Sequence, residues 1–231
     1  MTGSTTTLRA VVFDMDGLLA DTEPLSYRAW SALLTREYGV TLTLDDQEWS
    51  AQAVGKSSAD VWAMIGERFG LPFTLPDDLP KLDAAYKVLY HEVLAQGVAP
   101  MPGAIDLVRA CRDAGLRIGV ASSSTMTDIR LVLASIGLLD HFASLTSGKE
   151  VPRSKPDPAI YLLACERLGV APAEAVALED SGPGVLAARR AGLRCLAVPS
   201  DYTAGHDFTP AAAIRPSLVG LQPADLAALL G

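Results

Sequence analysis

Short apolar runs rich in β-branched residues recur along this chain and constrain its fold more than any other feature. They cover residues 10–13, 118–121, 175–178 and 195–198, and each is typical of a buried strand. Between the later runs lie helical patterns that begin near proline and end at glycine. Because strand and helix alternate, the sequence predicts an α/β fold with a doubly wound, Rossmann-like parallel sheet covered by helices.

A long insertion separates the first run from the second. About a hundred residues lie between them, whereas a crossover between parallel strands needs only about a dozen. The insertion has apolar residues at three- and four-residue spacing in the segments 25–38, 61–69 and 82–93, each followed by a glycine. We therefore predict a small α-helical cap domain at residues 20–97 and an α/β catalytic core formed by residues 1–19 and 98–231.

Charge and hydropathy exclude several classes of partner. With 19 basic and 27 acidic residues the net charge is -8, so counterion release cannot drive binding to nucleic acid, and anionic membranes are disfavoured. The chain has no apolar stretch of about 20 residues that would span a membrane, and its N-terminus lacks the features of a signal peptide. We expect a cytoplasmic monomer that uses local positive charge to bind any anionic substrate.

Polar side chains stand at the carboxyl ends of three of the four runs. In open parallel sheets, ligands bind at these ends of the strands. The side chains are Asp14 and Asp16 after the first, Ser122 and Ser123 at the end of the second, and Glu179 and Asp180 at the end of the third. Any one of them could simply cap the following helix. Carboxylates that converge from separate strands repel one another and need a cation, and oxygen ligands of this kind suit Mg²⁺.

The residues at these strand ends resemble the four motifs of the haloacid dehalogenase (HAD) superfamily, in their usual order. The first is the stretch DMDGLLADTE that begins at Asp14, the second is Ser122, the third is Lys155 in KPDP, and the fourth is Glu179-Asp180 followed by SGPG. The resemblance extends from Arg9 to Pro199. It is closest to the branch that contains β-phosphoglucomutase and many sugar-phosphate phosphatases.

The resemblance implies a role for each motif residue. Asp14 is the nucleophile that forms an aspartyl phosphate. The carboxylates of Asp14 and Asp180 and the backbone carbonyl of Asp16 hold Mg²⁺, with Glu179 as an outer partner of the metal site. Lys155, Ser122 and Ser123 bind the phosphate; Lys155 in isolation would more readily be a solvated loop lysine, and its motif context reverses that interpretation.

Asp16 distinguishes between reactions. A carboxylate two positions after the nucleophile can protonate the leaving alkoxide and then activate water. Relatives that cleave carbon-halogen bonds or phosphonates lack this second aspartate. We therefore expect a phosphatase of small phosphorylated metabolites, such as sugar, polyol or nucleoside-type monophosphates. The alternatives are a β-phosphoglucomutase-type phosphomutase, and a non-catalytic binding protein with the same fold.

Lys56 is the substrate-binding candidate within the cap. It lies in the segment VGKSS just before a helical pattern, where a cation can recognise a polar or anionic part of the substrate. It is equally well explained as an exposed lysine beside a helix start that Ser57 or Ser58 caps. The sequence leaves both interpretations open.

Overall fold

A parallel sheet forms the centre of the α/β part of the protein. The structure, a computed structural model, describes residues 7–54 and 56–230. Within them the strands lie in the order β3-β2-β1-β4-β5-β6, and every neighbouring pair is parallel. Their bounds are β1 (Ala10–Phe13), β2 (Arg117–Ser122), β3 (Ser144–Ser147), β4 (Ala175–Glu179), β5 (Arg194–Ala197) and β6 (Ala213–Ile214). The predicted α/β fold is confirmed.

The register of β1 determines what lies at the carboxyl edge of the sheet. All four residues of β1 are buried, and Phe13 pairs with Val120 of β2 on one side and with Leu178 of β4 on the other. The next residue, Asp14, donates its backbone N–H to the Leu178 carbonyl at 3.0 Å. Asp14 therefore emerges beside the last residue of β4, at the point where the strand order reverses and where α/β sheets bind ligands.

Two strands at the edges of the sheet were missed in the sequence. β3 reads Ser-Leu-Thr-Ser and β6 contains two residues, so neither has the run of apolar residues that identifies a buried strand. Each pairs with a single neighbour, β2 and β5 respectively. Their backbone pairing, and not their side-chain pattern, makes them strands.

Backbone contacts divide the chain into two compact units, of which Thr22–Val98 is helical. It contains α1 (Glu23–Tyr38), α2 (Asp46–Gln52), α3 (Ser58–Phe69) and α4 (Leu79–Leu94). Trp30, Trp49 and Trp62 are buried inside this unit, and the rings of Trp30 and Trp62 lie 4.5 Å apart. Ser57 caps α3 by accepting a hydrogen bond from the backbone N–H of Asp60.

The other unit comprises Met1–Asp21 and Ala99–Gly231, and its helices flank the sheet. They are α5 (Ala104–Asp113), α6 (Met126–Ser135), α7 (Ala159–Leu168), α8 (Gly182–Arg190) and α9 (Pro223–Ala227). The side chains of Thr125 and Ser181 cap α6 and α8, which start directly after the ends of β2 and β4. Among the residues that the structure describes, no helix is both long and apolar enough to cross a membrane.

Candidate active site

Three buried carboxyl groups meet at the carboxyl edge of the sheet, beside the junction of β1 and β4. Asp14 follows β1, Glu179 is the last residue of β4, and Asp180 follows it. Each has a carboxylate oxygen within 4.8 Å of the others, and all three side chains are buried. Because these groups repel one another when ionised, the cluster requires neighbouring positive charge.

Lys155 supplies that positive charge from the loop before α7. Its Nζ lies 2.6 Å from Asp14 Oδ1, 2.6 Å from Glu179 Oε1 and 3.0 Å from the carbonyl oxygen of Ala121. Burial alone would lower the pKa of Lys155, but the charges of Asp14 and Glu179 raise it above its usual value. The side chain is only 7% exposed, so the interpretation of Lys155 as a solvated loop lysine is wrong.

Two serine hydroxyl groups hold the carboxylate of Asp16. Ser122 Oγ donates to Asp16 Oδ2 at 2.9 Å and Ser124 Oγ donates to the same oxygen at 3.0 Å. Ser123 lies between them with an exposed side chain. Ser123 and Ser124 form a bend after β2, in which the backbone N–H of Ser124 donates to Ser122 Oγ at 3.0 Å, so both hydroxyl groups reach the same carboxylate. The sequence analysis named Ser123 as a phosphate-binding residue, which stays a prediction, and assigned Ser124 no role of its own.

The environment of Asp14 favours a bound cation. Burial is the main cause that raises the pKa of Asp14 to about 8; Lys155 opposes it, and Glu179 and Asp16 add to it. A protonated carboxyl group is a poor nucleophile, and a divalent cation beside Asp14 would lower this pKa. The buried oxygen ligands of Asp14 and Asp180 fit such a cation.

Glu179 already has hydrogen-bond donors on both carboxylate oxygens. Oε1 accepts from Lys155 Nζ and from the hydroxyl of Tyr161, each at 2.6 Å, and Oε2 accepts from Ser181 Oγ at 2.9 Å. A carboxylate occupied in this way suits the outer role that the motif resemblance implies. Asp180, by contrast, accepts from Ser200 Oγ at 3.3 Å on Oδ2.

Two glycines of the motifs leave space for these carboxylates. Gly17 has a φ of +78°, and a Cβ at this position would overlap the carboxylate of Asp180. A Cβ on Gly184, in the first turn of α8, would overlap the carboxylate of Glu179. Either substitution would displace a candidate site carboxylate. The sequence analysis missed the packing role of Gly184 and the contacts of Tyr161 and Ser200, because the direction in which a helix or loop presents a residue leaves no local pattern.

Lys56 lies in the helical unit, beside a cavity of about 220 Å³. The cavity is lined by apolar rings and by polar side chains, among them Trp49, Tyr86, Glu23, Ser26 and Ser58. Trp49 Nε1 is buried without a hydrogen-bond partner among the described residues. Lys56 is exposed and follows Ala53 in a turn, while Ser57 caps α3, so both interpretations of Lys56 stay open.

Comparisons with known proteins agree with these motifs. The family model for haloacid dehalogenase-like hydrolases matches residues 8–192. YhcW of Bacillus subtilis is 35% identical over 209 residues, which cover 85% of this chain and 86% of that protein. Hexitol phosphatase B of Escherichia coli K12 is 31% identical over 213 residues, which cover 83% of each protein.

A solved structure matches nearly the whole length of this chain. Mutant CbbY from Rhodobacter sphaeroides, in complex with xylulose 1,5-bisphosphate, has a TM-score of 0.83 and 30% identity, with 95% of this chain and 99% of that chain covered. The family resemblance drawn from the four motifs is therefore confirmed. The chain belongs to the haloacid dehalogenase-like hydrolase family of enzymes.

Proposed function

We propose that this chain is a Mg²⁺-dependent phosphatase of small phosphorylated metabolites that acts through an aspartyl phosphate at Asp14. The observation that carries the proposal is Lys155, buried and bonded to both Asp14 and Glu179 at 2.6 Å. Phosphoryl transfer requires little more than a positioned nucleophile and positive charge around the phosphoryl oxygens. The relatives, a hexitol phosphatase and a protein that binds a xylulose bisphosphate, support a sugar or polyol phosphate as substrate.

In the first step a carboxylate oxygen of Asp14 attacks phosphorus. The bond between phosphorus and the ester oxygen breaks, and the electron pair leaves with that oxygen. Asp16, oriented by Ser122 and Ser124, donates a proton to the leaving alkoxide. When Mg²⁺ is bound by the carboxylates of Asp14 and Asp180 and the backbone carbonyl of Asp16, it neutralises charge on the phosphoryl oxygens and keeps Asp14 ionised.

In the second step water replaces the alcohol. Asp16, now a carboxylate, takes a proton from the water that attacks phosphorus, and the bond from phosphorus to the Asp14 oxygen breaks. Lys155 donates a hydrogen bond to the phosphoryl group in both steps, and the single O–H of Ser122 can do so only when it leaves Asp16. A phosphomutase would pass the phosphoryl group to a second sugar hydroxyl, and Asp16 could serve as its base as well.

A metal-dependence experiment tests the enzyme. Purified protein should release phosphate from p-nitrophenyl phosphate, EDTA should stop the release, and added Mg²⁺ should restore it, because the carboxylates of Asp14 and Asp180 need a cation. Mg²⁺ should also raise the melting temperature of the EDTA-treated protein, since it binds the folded state alone. Turnover that persists in excess chelator would contradict the proposed metal.

A substrate panel identifies the reaction and the substrate class. Sugar, polyol and nucleoside monophosphates, and β-glucose 1-phosphate with a trace of bisphosphate, are assayed for free phosphate and for isomerised sugar phosphate. We expect phosphate as the main product. Near-quantitative conversion of β-glucose 1-phosphate to glucose 6-phosphate, with little free phosphate, would identify a mutase instead.

Lys56→Ala should affect large substrates selectively. If Lys56 binds the distal part of a metabolite, its loss should raise KM for the best panel substrate by roughly 10-fold and leave p-nitrophenyl phosphate turnover unchanged. Lys81→Ala, at an exposed position of the same unit, should change neither. Equal effects of Lys56→Ala on both substrates would assign Lys56 to stability instead.

A further inference from the structure

Tyr161 is a buried aromatic residue in direct contact with the proposed phosphate-binding lysine. It lies in the first turn of α7 and its side chain is fully buried. Its hydroxyl donates to Glu179 Oε1 at 2.6 Å, and Lys155 Nζ lies 5.3 Å from the centre of its ring. The sequence analysis assigned Tyr161 no role, and the proposed reaction so far does not use it.

All three N–H groups of the Lys155 ammonium already donate hydrogen bonds. An ammonium has three N–H groups, and those of Lys155 are directed to Asp14 Oδ1, Glu179 Oε1 and the carbonyl oxygen of Ala121. For Lys155 to donate to a transferring phosphoryl group, one of these bonds must break. The bond to Asp14 is the one that chemistry weakens, because Asp14 loses its carboxylate charge when it bonds to phosphorus.

Glu179 must then hold Lys155 by charge without Asp14. Its carboxylate is fixed from both ends, since Tyr161 donates to Oε1 beside Lys155 and Ser181 Oγ donates to Oε2. Gly184 leaves room for it against α8. Without the Tyr161 hydroxyl, Lys155 would be the remaining donor to Oε1. The Glu179 carboxylate could then rotate when Lys155 moves.

We propose that Tyr161 is a positioning residue that fixes Glu179 and thereby keeps Lys155 at the phosphoryl group while Asp14 is phosphorylated. The proposal rests on the proposed function, because it concerns the same phosphoryl transfer. Tyr161 touches neither substrate nor metal in this account. It acts through Glu179, and its hydroxyl group is the atom that matters.

Tyr161→Phe removes that hydroxyl and keeps the ring. We expect kcat for p-nitrophenyl phosphate to fall roughly 10-fold, the size of effect of one hydrogen bond to a buried charge, with KM nearly unchanged. Binding of orthovanadate, which mimics the five-coordinate phosphoryl group, should weaken by a similar factor in calorimetry with Mg²⁺ present. The affinity for Mg²⁺ should fall by less than the affinity for vanadate, because Tyr161 reaches the proposed metal ligands Asp14 and Asp180 only through Glu179.

Two controls separate positioning from packing. Tyr27→Phe removes a hydroxyl that donates to the carbonyl oxygen of Leu44 at 3.0 Å in the helical unit; it should cost stability and leave kcat and vanadate affinity unchanged. In a Glu179→Gln background, Tyr161→Phe should have little further effect on vanadate affinity, because the two residues act as one unit.

The outcomes are distinct. Tyr161→Phe protein with lower stability but normal kcat and normal vanadate affinity would reduce Tyr161 to a packing residue and overturn the inference. Full additivity with Glu179→Gln would also overturn it. Wild-type protein that neither turns over a phosphate ester nor binds vanadate would overturn the proposed function, and this inference with it.

Discussion

Asp14→Asn is expected to lower kcat for phosphate esters by about 10³-fold or more, the scale seen when a covalent nucleophile is removed. The amide has nearly the shape of the carboxylate but cannot form the acyl phosphate. The fold should survive, because burial already raises the pKa of Asp14 to about 8, and a neutral amide removes a charge that the site stabilises poorly. Phosphate release and the circular dichroism melting curve of the purified variant measure the two effects.

Asp113→Asn is the matched control for this variant. The Asp113 side chain is 73% exposed, so the same chemical change there should leave turnover and melting temperature unaltered. Comparable turnover in Asp14→Asn and wild-type protein, with deamidation of the asparagine excluded by mass spectrometry, would remove Asp14 from the mechanism.

The carboxylates of the candidate site were predictable because they stand at the ends of buried strands. Asp14 and Glu179 follow apolar runs that only a parallel sheet would bury on both faces. Parallel strands bring their carboxyl ends to one edge, so the meeting of Asp14, Glu179 and Asp180 follows from the pattern alone. Lys155 was found differently, through its motif, since nothing in the surrounding loop sequence distinguishes a buried lysine from a solvated one.

The supporting contacts were not predictable, for a physical reason. Tyr161 and Ser200 reach their carboxylate partners across 18 and 20 residues of chain, and such contacts depend on which face of a helix or loop turns inward. The contact of Ser124 with Asp16 depends on a similar point, the direction of a side chain just beyond a strand. α2 escaped detection because seven residues are too few for helical periodicity to stand out.

Lys155→Met is expected to lower both the free energy of unfolding and kcat. The change leaves Asp14 and Glu179 buried without the charge between them, and losing one partner of a buried ion pair costs about 3–5 kcal/mol of unfolding free energy. Lys155 also lowers the pKa of Asp14, so in the variant that pKa rises further and the nucleophile is more fully protonated. We expect kcat to fall by about 10³-fold, because the cation at the phosphoryl group is lost as well.

The pH dependence of stability makes this prediction specific. Asp14 keeps its proton up to about pH 8 in the wild type and to a higher pH in Lys155→Met, whereas the unfolded chain loses it near its ordinary, lower pKa. A folded state that binds more protons than the unfolded state loses stability as pH rises. Between about pH 8 and about pH 10, below the range in which an unfolded lysine titrates, Asp14 still binds more protons in the folded than in the unfolded state only in the variant, so the stability deficit of the variant relative to wild type should widen there. Urea unfolding in EDTA, below and within this pH interval, measures the deficit.

Lys149→Met, which removes an exposed lysine six positions earlier, should show no such deficit. A variant deficit that stays constant across this range would mean that Lys155 does not control the protonation of Asp14.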